Sequence, residues 1–400
     1  MKMKHILLIF CLFIGGCMKQ INHLHQRDTI SKEGSLVYWI ATDMHYLADE
    51  LFDDGPIFQE LLLTNDGKLI ERGSEILDTF IEQAKNAKPD GILICGDLTF
   101  NGEAISLQKF TEKFSYLQEA GIPVYVIPGN HDIDYPFSNT YIGDEHGKTE
   151  NMNTEAFSRI AGRFGYDNAI YKDDSSFSYV TALSDDLWLM ALDTNTHFNS
   201  GTLTDETFQW AEEQLKLAKE KNIQVITMSH QNVLKQNDMM YKGFVMNNHD
   251  EVETLLKKYD VYLNLSGHSH LQHTAISGSL TDICTESLSV YPLQFGILTI
   301  SKDRQFFSYE NKELGIYKDE AKDRFNETVT RMVEPQLKGL NITEDIRNKM
   351  IDFACEVNAY SYAGADYDKS SLLNSDEFGY WKAYGKDLFW YTYLKNMLEE

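Results

Sequence analysis

A chain of 400 residues is long for one domain and allows a sizeable core with an appendage. Its apolar fraction of 42% and charged fraction of 24% are those of an ordinary globular protein. The formal net charge of -25 is not ordinary: so acidic a surface repels phosphate backbones and anionic lipid, which argues against nucleic-acid tracking. Any phosphate substrate would then need local positive charge from bound metal ions.

The chain opens like an export leader. Lys2 and Lys4 make a basic start, and Ile6 to Ile14 form an apolar stretch too short to be a comfortable membrane span. It ends in Ile14-Gly15-Gly16-Cys17, which resembles the bacterial lipoprotein processing box. That resemblance implies cleavage before Cys17, lipidation of its thiol, and an exported protein held to the outside of the membrane only by this anchor. An ordinary secretory signal with an incidental Cys17 is the competing reading. Residues 1–16 are thus the expected leader and 17–35, polar and without a hydrophobic period, a tether. Cys95, Cys284 and Cys355 remain, an odd number without paired spacing, so no disulfide framework is expected.

From Leu36 strand-like and helix-like segments alternate. Leu36 to Ala41 reads as a strand, 76–87 as a helix with Ile76, Leu77, Phe80, Ile81 and Ala84 on one side, and 91–95 as a buried strand. A helix over 103–119 and a strand over 123–127 follow. After a less regular stretch come strands at 177–181 and 188–192, a helix at 203–219, a strand at 223–228, a short helix at 252–258 and a strand at 261–265. Antiparallel strands are expected near 273–277, 281–285, 295–301 and 305–309. This is an α/β (α+β) layered domain over 36–312 with helices outside. Residues 313–400 change character, with helices at 315–335, 342–358 and 379–397, the last carrying seven rings from Tyr380 to Tyr393. Rings at helical spacing argue for a packing domain; a partner or cell-wall surface is the alternative.

Most of the strand-like runs before residue 270 end in residues that can hold metal: Asp43-Met44-His45, Gly96-Asp97, Gly129-Asn130-His131-Asp132, Ser229-His230 and Gly267-His268-Ser269-His270. An Asp and a His two apart, leaving a strand end, can turn toward one ion. A carboxylate such as Asp97, at a tight Gly96 turn, can bridge two ions, and the amide oxygen of Asn130 is a neutral ligand. His268 and His270 can each reach one ion from a bent loop. Mixed nitrogen and oxygen ligation suits Mn, Fe or Zn rather than Ca. Two such ions, ~3.5–4 Å apart, clamp a phosphoryl centre and make hydroxide from water near neutral pH.

The ordered segments DMH, GDLTFNGE, GNHD, SH and GHSH resemble the calcineurin-like metallophosphoesterase superfamily over about residues 36–310. The resemblance implies a four-layer α/β/β/α sandwich with a dinuclear site at the strand ends. It implies that Asp43, His45 and His270 hold one ion, that Asn130, His230 and His268 hold the other, and that Asp97 bridges them. His131 would bind no metal but face the phosphoryl group and protonate the leaving oxygen, and Asp132 would orient His131 from behind. Phe100 stands where purple acid phosphatases place a metal-binding Tyr, and Phe cannot ligate, which argues against a tyrosinate–Fe(III) site. The GDLTFNGE form is similar to the branch containing class III cyclic nucleotide phosphodiesterases. Gram-positive lipoproteins of that branch join such a domain to a small C-terminal helical one.

Two insertions, 46–73 and 133–176, are long enough to be lids or rims. Tyr46, Phe52, Tyr135, Phe137 and Tyr141 are candidates to stack on a base or simply to pack, and Asn101 either touches phosphate or makes a turn before Gly102. Among the remaining histidines, His197 could line the pocket.

The expected function is hydrolysis of a small-molecule phosphodiester, such as a 3',5'-cyclic nucleotide, by metal-bound hydroxide with His131 as acid. The alternatives are an extracellular phosphomonoesterase or nucleotidase, and a non-catalytic surface lipoprotein that binds metal or ligand.

Overall fold

The computed structural model describes residues 25–26, 30–31, 33–198 and 200–399, without the His25 side chain. The expected leader, the Cys17 lipidation site and much of the tether therefore lie outside the described residues.

The chain runs β1 (His25–Gln26), β2 (Leu36–Ala41), α1 (Pro56–Thr64), α2 (Gly73–Ala87), β3 (Gly91–Ile94), α3 (Ala104–Glu119) and β4 (Val124–Val126). A hairpin of β5 (Asn139–Ile142) and β6 (Glu145–Lys148) and helix α4 (Thr154–Ala161) fill the second insertion. Then come β7 (Tyr171–Lys172), β8 (Tyr179–Ser184), β9 (Leu187–Leu192), α5 (Asp205–Glu220), β10 (Gln224–Ser229), α6 (His249–Lys258), β11 (Leu263–Ser266), β12 (His273–Ser277), β13 (Leu280–Cys284), β14 (Gln294–Ile300) and β15 (Phe306–Glu313). The C-terminal helices are α7 (Lys318–Leu337), α8 (Glu344–Ala363), α9 (Lys369–Leu373), α10 (Asp376–Tyr384) and α11 (Phe389–Glu399).

Two sheets form. One has the order β1-β15-β14-β2-β3-β4 and the other β12-β13-β11-β10-β9-β8-β7. At one end of the first, β2, β3 and β4 run parallel; at the centre of the second, β9, β10, β11 and β13 do. All four residues of β3 and all six of β9 are buried, as expected for parallel strands covered on both faces. The largest core cluster joins both sheets to α2 and α3, with Trp39 packed on Phe80 and Phe295 at ring separations of 5.7 and 4.4 Å. A separate cluster packs α5 and α6 against the second sheet, completing helix–sheet–sheet–helix layering. Each fully buried Leu or Phe contributes about 1.5–3 kcal/mol. Cys95, Cys284 and Cys355 are free and buried. Among the described residues no helix is long and apolar enough to cross a membrane.

The single helix expected over 379–397 is two. Gly385 ends α10 by donating its N–H to Trp381 O at 2.8 Å, and a Cβ there would sit 2.9 Å from the Trp381 ring. The rings also divide: Trp381 and Trp390 are buried among α7 and α8, whereas Phe389 is exposed. Gln26, inside the expected tether, pairs in parallel with Phe307 at a sheet edge. The C-terminal helices grip the first insertion through Arg324–Glu71 at 2.7 Å, Arg72–Glu320 at 3.2 Å and Arg331 Nη2 to Asn65 O at 3.0 Å.

Candidate metal centre

The ligand-bearing loops leave the ends of β2, β3, β4, β10 and β11 at one edge of the two sheets. Beyond β2 and β3 the chains stay zipped: Asp43 N donates to Gly96 O, His45 N to Asp97 O and Tyr46 N to Leu98 O, at 3.0, 3.0 and 3.1 Å. Twelve described non-glycine residues have positive φ, and five of them are Asp43, His45, Asp97, His268 and His270. That conformation costs about 1–2 kcal/mol per residue, so its concentration here marks a backbone bent to aim side chains. Glycines make the room. A Cβ on Gly96 (φ +94°) would sit 2.6 Å from His230 Nδ1, and one on Gly129 would run into the Asp97 carboxylate.

Three overlapping groups result, Asp43/His45/His270, His45/Asp97/His131 and Asp97/His230/His268. Asp43 Oδ2 is saturated by the Thr42 hydroxyl at 2.6 Å and the His268 N–H at 2.8 Å. Among the described residues its Oδ1 has no hydrogen-bond partner, and it points among His270 Nε2 at 3.2 Å and His45 Nε2 at 3.8 Å. Those two imidazole nitrogens are only 3.0 Å apart. A buried unpartnered carboxylate oxygen between converging imidazole nitrogens is satisfied by a cation. Asp97 faces both ways, with Oδ2 3.6 Å from His45 Nε2 and Oδ1 3.4 Å from His230 Nε2. Asn130 Oδ1 lies 2.9 Å from the same His230 nitrogen. These donor sets fit two ions sharing Asp97.

The outer hydrogen bonds fix which ring atom can ligate. His230 Nδ1 donates to Cys95 O at 2.8 Å, leaving Nε2 for the site. His268 reverses this: its Nε2 donates to Gly243 O at 2.8 Å, leaving Nδ1. Charge is balanced within the cluster. Burial opposes ionisation of Asp97, yet His230 and His131 hold it well below the usual carboxylate range. Burial likewise opposes charge on His230, but Asp97 and Asp43 raise it to about 9. Burial pushes His268 down to about 4, and it lowers His45 with the help of the Lys68 charge.

The other expected residues divide: some stand as expected and some do not. His131 reaches the cluster, with Nδ1 bound to Phe100 O at 2.9 Å and Asn101 Oδ1 at 3.0 Å. Asn101 thus holds His131, the part expected of Asp132. Asp132 instead accepts from Gly129 N, Leu98 N, Thr99 N and the Thr99 hydroxyl, tying the two ligand loops together, and makes no bond to the His131 ring. The expectation for Tyr46 is corrected as well. At 2% exposure its ring packs beside Gly73 in the core, because its backbone continues the β2–β3 zipper and turns the side chain inward. Phe52 stacks on Phe58 and Tyr141 packs edge-on to Phe100. Of the five insertion aromatics, Tyr135 lies directly on His131, ring separation 4.6 Å and tilt 20°. His197 is exposed and does not line the cavity at the cluster.

That cavity, ≈ 330 Å³, runs from Asp97, Asn130, His131, His268 and His270 to side chains of α7, α8 and α11. Lys68 lines it and is buried, a residue the sequence pattern did not pick out. Its only local signal was an Asp-Gly-Lys turn in the first insertion.

A buried cluster of carboxylate, imidazole and amide ligands at the strand ends of a double-sheet sandwich defines a dimetal phosphoesterase. Residues 36–272 match the calcineurin-like phosphoesterase family, and the chain belongs to it. Residues 305–400 match the C-terminal domain of cyclic nucleotide phosphodiesterase. Among solved structures, a dimetal phosphatase from Danio rerio is similar at 13% identity and TM-score 0.52, covering 70% of this chain and 96% of its own. GAP50, the anchor in the inner membrane complex of Plasmodium, is similar at 13% identity and TM-score 0.44, covering 70% and 85%. No curated protein sequence matches the chain significantly.

Proposed function

We propose that the protein hydrolyses a phosphodiester, with a 3',5'-cyclic nucleotide as the leading substrate class. The observation that carries this reading is His131. It sits against a complete ligand set, its Nδ1 is engaged by Phe100 O and Asn101 Oδ1, and its Nε2 is left for the reacting group. The match of residues 305–400 to a domain described from cyclic nucleotide phosphodiesterase supports the diester assignment.

Asp43, His45 and His270 would hold one ion, Asn130, His230 and His268 the other, and Asp97 both. Bound Mn, Fe or Zn would supply Lewis acidity toward phosphoryl oxygens and lower the pKa of coordinated water. The chain's own residues do the rest. Phe100 O and Asn101 Oδ1 accept from Nδ1 and fix the His131 ring, Tyr135 covers one face of it, and the imidazolium form of His131 gives its Nε2 proton to the departing oxygen, leaving the neutral imidazole. Removal from water by the cavity walls strengthens each of these interactions.

Metal analysis combined with a panel of cyclic nucleotides, mononucleotides and aryl phosphates tests the reading. Diesters are expected to turn over faster than monoesters; the reverse order would overturn the diester assignment in favour of an extracellular phosphomonoesterase. One observation favours that second reading: the positive charge of Lys68 beside the cluster suits a dianion. His131→Ala should keep both ions and lose about 10²–10⁴ in kcat. Unchanged turnover would remove the acid role, and loss of an ion would make His131 a ligand instead.

We also propose export and lipid anchoring at Cys17, supported by the basic start and the Gly15-Gly16-Cys17 box. Cys17→Ser should abolish incorporation of radiolabelled palmitate and release the protein from membranes; labelled Cys17→Ser protein would refute the assignment.

A further inference from the structure

The cavity beside the cluster is chemically two-sided. At one end are the metal-facing side chains and Lys68; at the other are Met332, Phe389 and Tyr393 of the C-terminal helices. Lys68 is only 4% exposed, yet among the described residues its sole ion pair is with Asp66 Oδ2 at 3.4 Å, and the Asp66 side chain is 84% exposed. A buried ammonium with so weakly held a counter-charge is costly unless another anion completes it. The apolar end is equally unexplained by packing. Met332 and Phe389 are 59% and 45% exposed although buried Trp390, whose Nε1 donates to Met332 O at 3.2 Å, fixes them in place. Phe389 stacks on Tyr393 with ring planes 13° apart, presenting a preformed aromatic surface to the cavity. The two ends are mechanically joined. Helix α7, which carries Met332, also holds the segment bearing Lys68 through Arg324–Glu71 and Arg331–Asn65.

Resting on the phosphoesterase reading, we propose that this cavity is a composite substrate site spanning the two domains. Lys68 takes a phosphoryl oxygen of the substrate, and Met332, Phe389 and Tyr393 take an aromatic organic group of the ester. The C-terminal helices are thereby part of the substrate site, not only a packing appendage. Geometry selects an aromatic ester over an alkyl one, because a flat ring gains offset stacking on Phe389 and Tyr393 as well as burial.

The test uses calorimetric binding of inorganic phosphate, methylphosphonate and phenylphosphonate to the full chain, metal-free and Mn-loaded. Phenylphosphonate is expected to bind about 10-fold more tightly than methylphosphonate. The double substitution of exposed residues Met332→Ser/Phe389→Ala should abolish that preference while leaving phosphate affinity within about 2-fold. Lys68→Met should weaken all three ligands alike, by about 10- to 100-fold, and Lys68→Arg should restore most of the loss. Melting temperature and metal content, read on each variant, identify a folding defect; Lys68→Gln then serves in place of Lys68→Met. Unaltered binding in Lys68→Met, or in Lys68→Gln where it takes that place, or an aryl preference that survives the double substitution, overturns the proposal. Wild-type protein that hydrolyses no ester but shows this binding pattern would sink the catalytic reading and leave the composite site standing. Hydrolysis without any aryl preference would do the opposite.

Discussion

The difference between Asn101 and Asp132 gives the residue scale its sharpest experiment. Asn101 accepts from His131 Nδ1, whereas Asp132 accepts four bonds from the two ligand loops and none from that ring. Asn101→Ala should therefore lower kcat by about 10-fold, one neutral hydrogen bond, with metal content intact. Asp132→Asn strips a buried charged acceptor from those loops and should cost about 2–4 kcal/mol of stability together with metal. Equal metal loss in the two variants would contradict the division of labour. Behind Asn101 sits Glu103, whose Oε2 accepts from Asn101 N at 3.1 Å while Oε1 has no hydrogen-bond partner among the described residues. Burial raises the Glu103 carboxyl from 4.5 to about 7. The folded state then binds a proton that the unfolded state releases above pH 4.5, so this group's contribution is complete below pH 4.5 and lost as pH rises toward 7. Glu103→Gln removes that slope. The variant should gain on wild type as pH climbs through this window, by about 3 kcal/mol at neutrality. Parallel denaturation curves at pH 4.5 and 7.5 would show no such effect and refute it.

At the scale of elements, what could be read in advance was what local periodicity and strand ends encode. The buried runs Leu36–Ala41 and Gly91–Ile94 each lead straight into their ligands, so the strands and the ligand set were legible together. Side-chain partners across long sequence separations were not. The bonds of Asp132 to Leu98 and Thr99 span more than thirty positions, and Lys68 lines the cavity from a segment that α7 holds from over 250 residues away. The break at Gly385 was likewise invisible, since it depends on how closely the chain passes the Trp381 ring. The glycines of the ligand loops were legible as turn formers but not as spacers. Gly129→Ala would force a Cβ into Asp97, backbone and carboxylate both, while Gly121, with φ +81°, has nothing within 4 Å of such a Cβ. Gly121→Ala should cost about 1 kcal/mol, the backbone penalty alone. Gly129→Ala should cost at least twice that and empty the site, as read by melting temperature and metal analysis. Similar behaviour of the two variants would mean that Asp97 moves aside freely.

For the whole molecule, the charge that argued against polyanion partners becomes a kinetic quantity. Two divalent ions would change -25 only to -21, by adding 4, so an anionic ester approaching from outside still meets net repulsion. With two divalent ions bound the sign would reverse inside the cavity, where the ions and Lys68 would outweigh Asp66 and Asp97 over a few ångströms. Salt acts differently on these two fields. Raising ionic strength from 0.01 to 0.15 M shortens the Debye length from about 30 to about 8 Å, which erases the distant acidic surface but leaves contacts in a buried site largely unscreened. Association of an anionic aryl phosphate should therefore quicken by a few-fold over that range, and that of a neutral triester should not change. Stopped-flow binding at several salt concentrations measures both. An anionic ligand that associates more slowly as salt rises would mean that the cavity's positive field reaches past the protein surface and steers the substrate in.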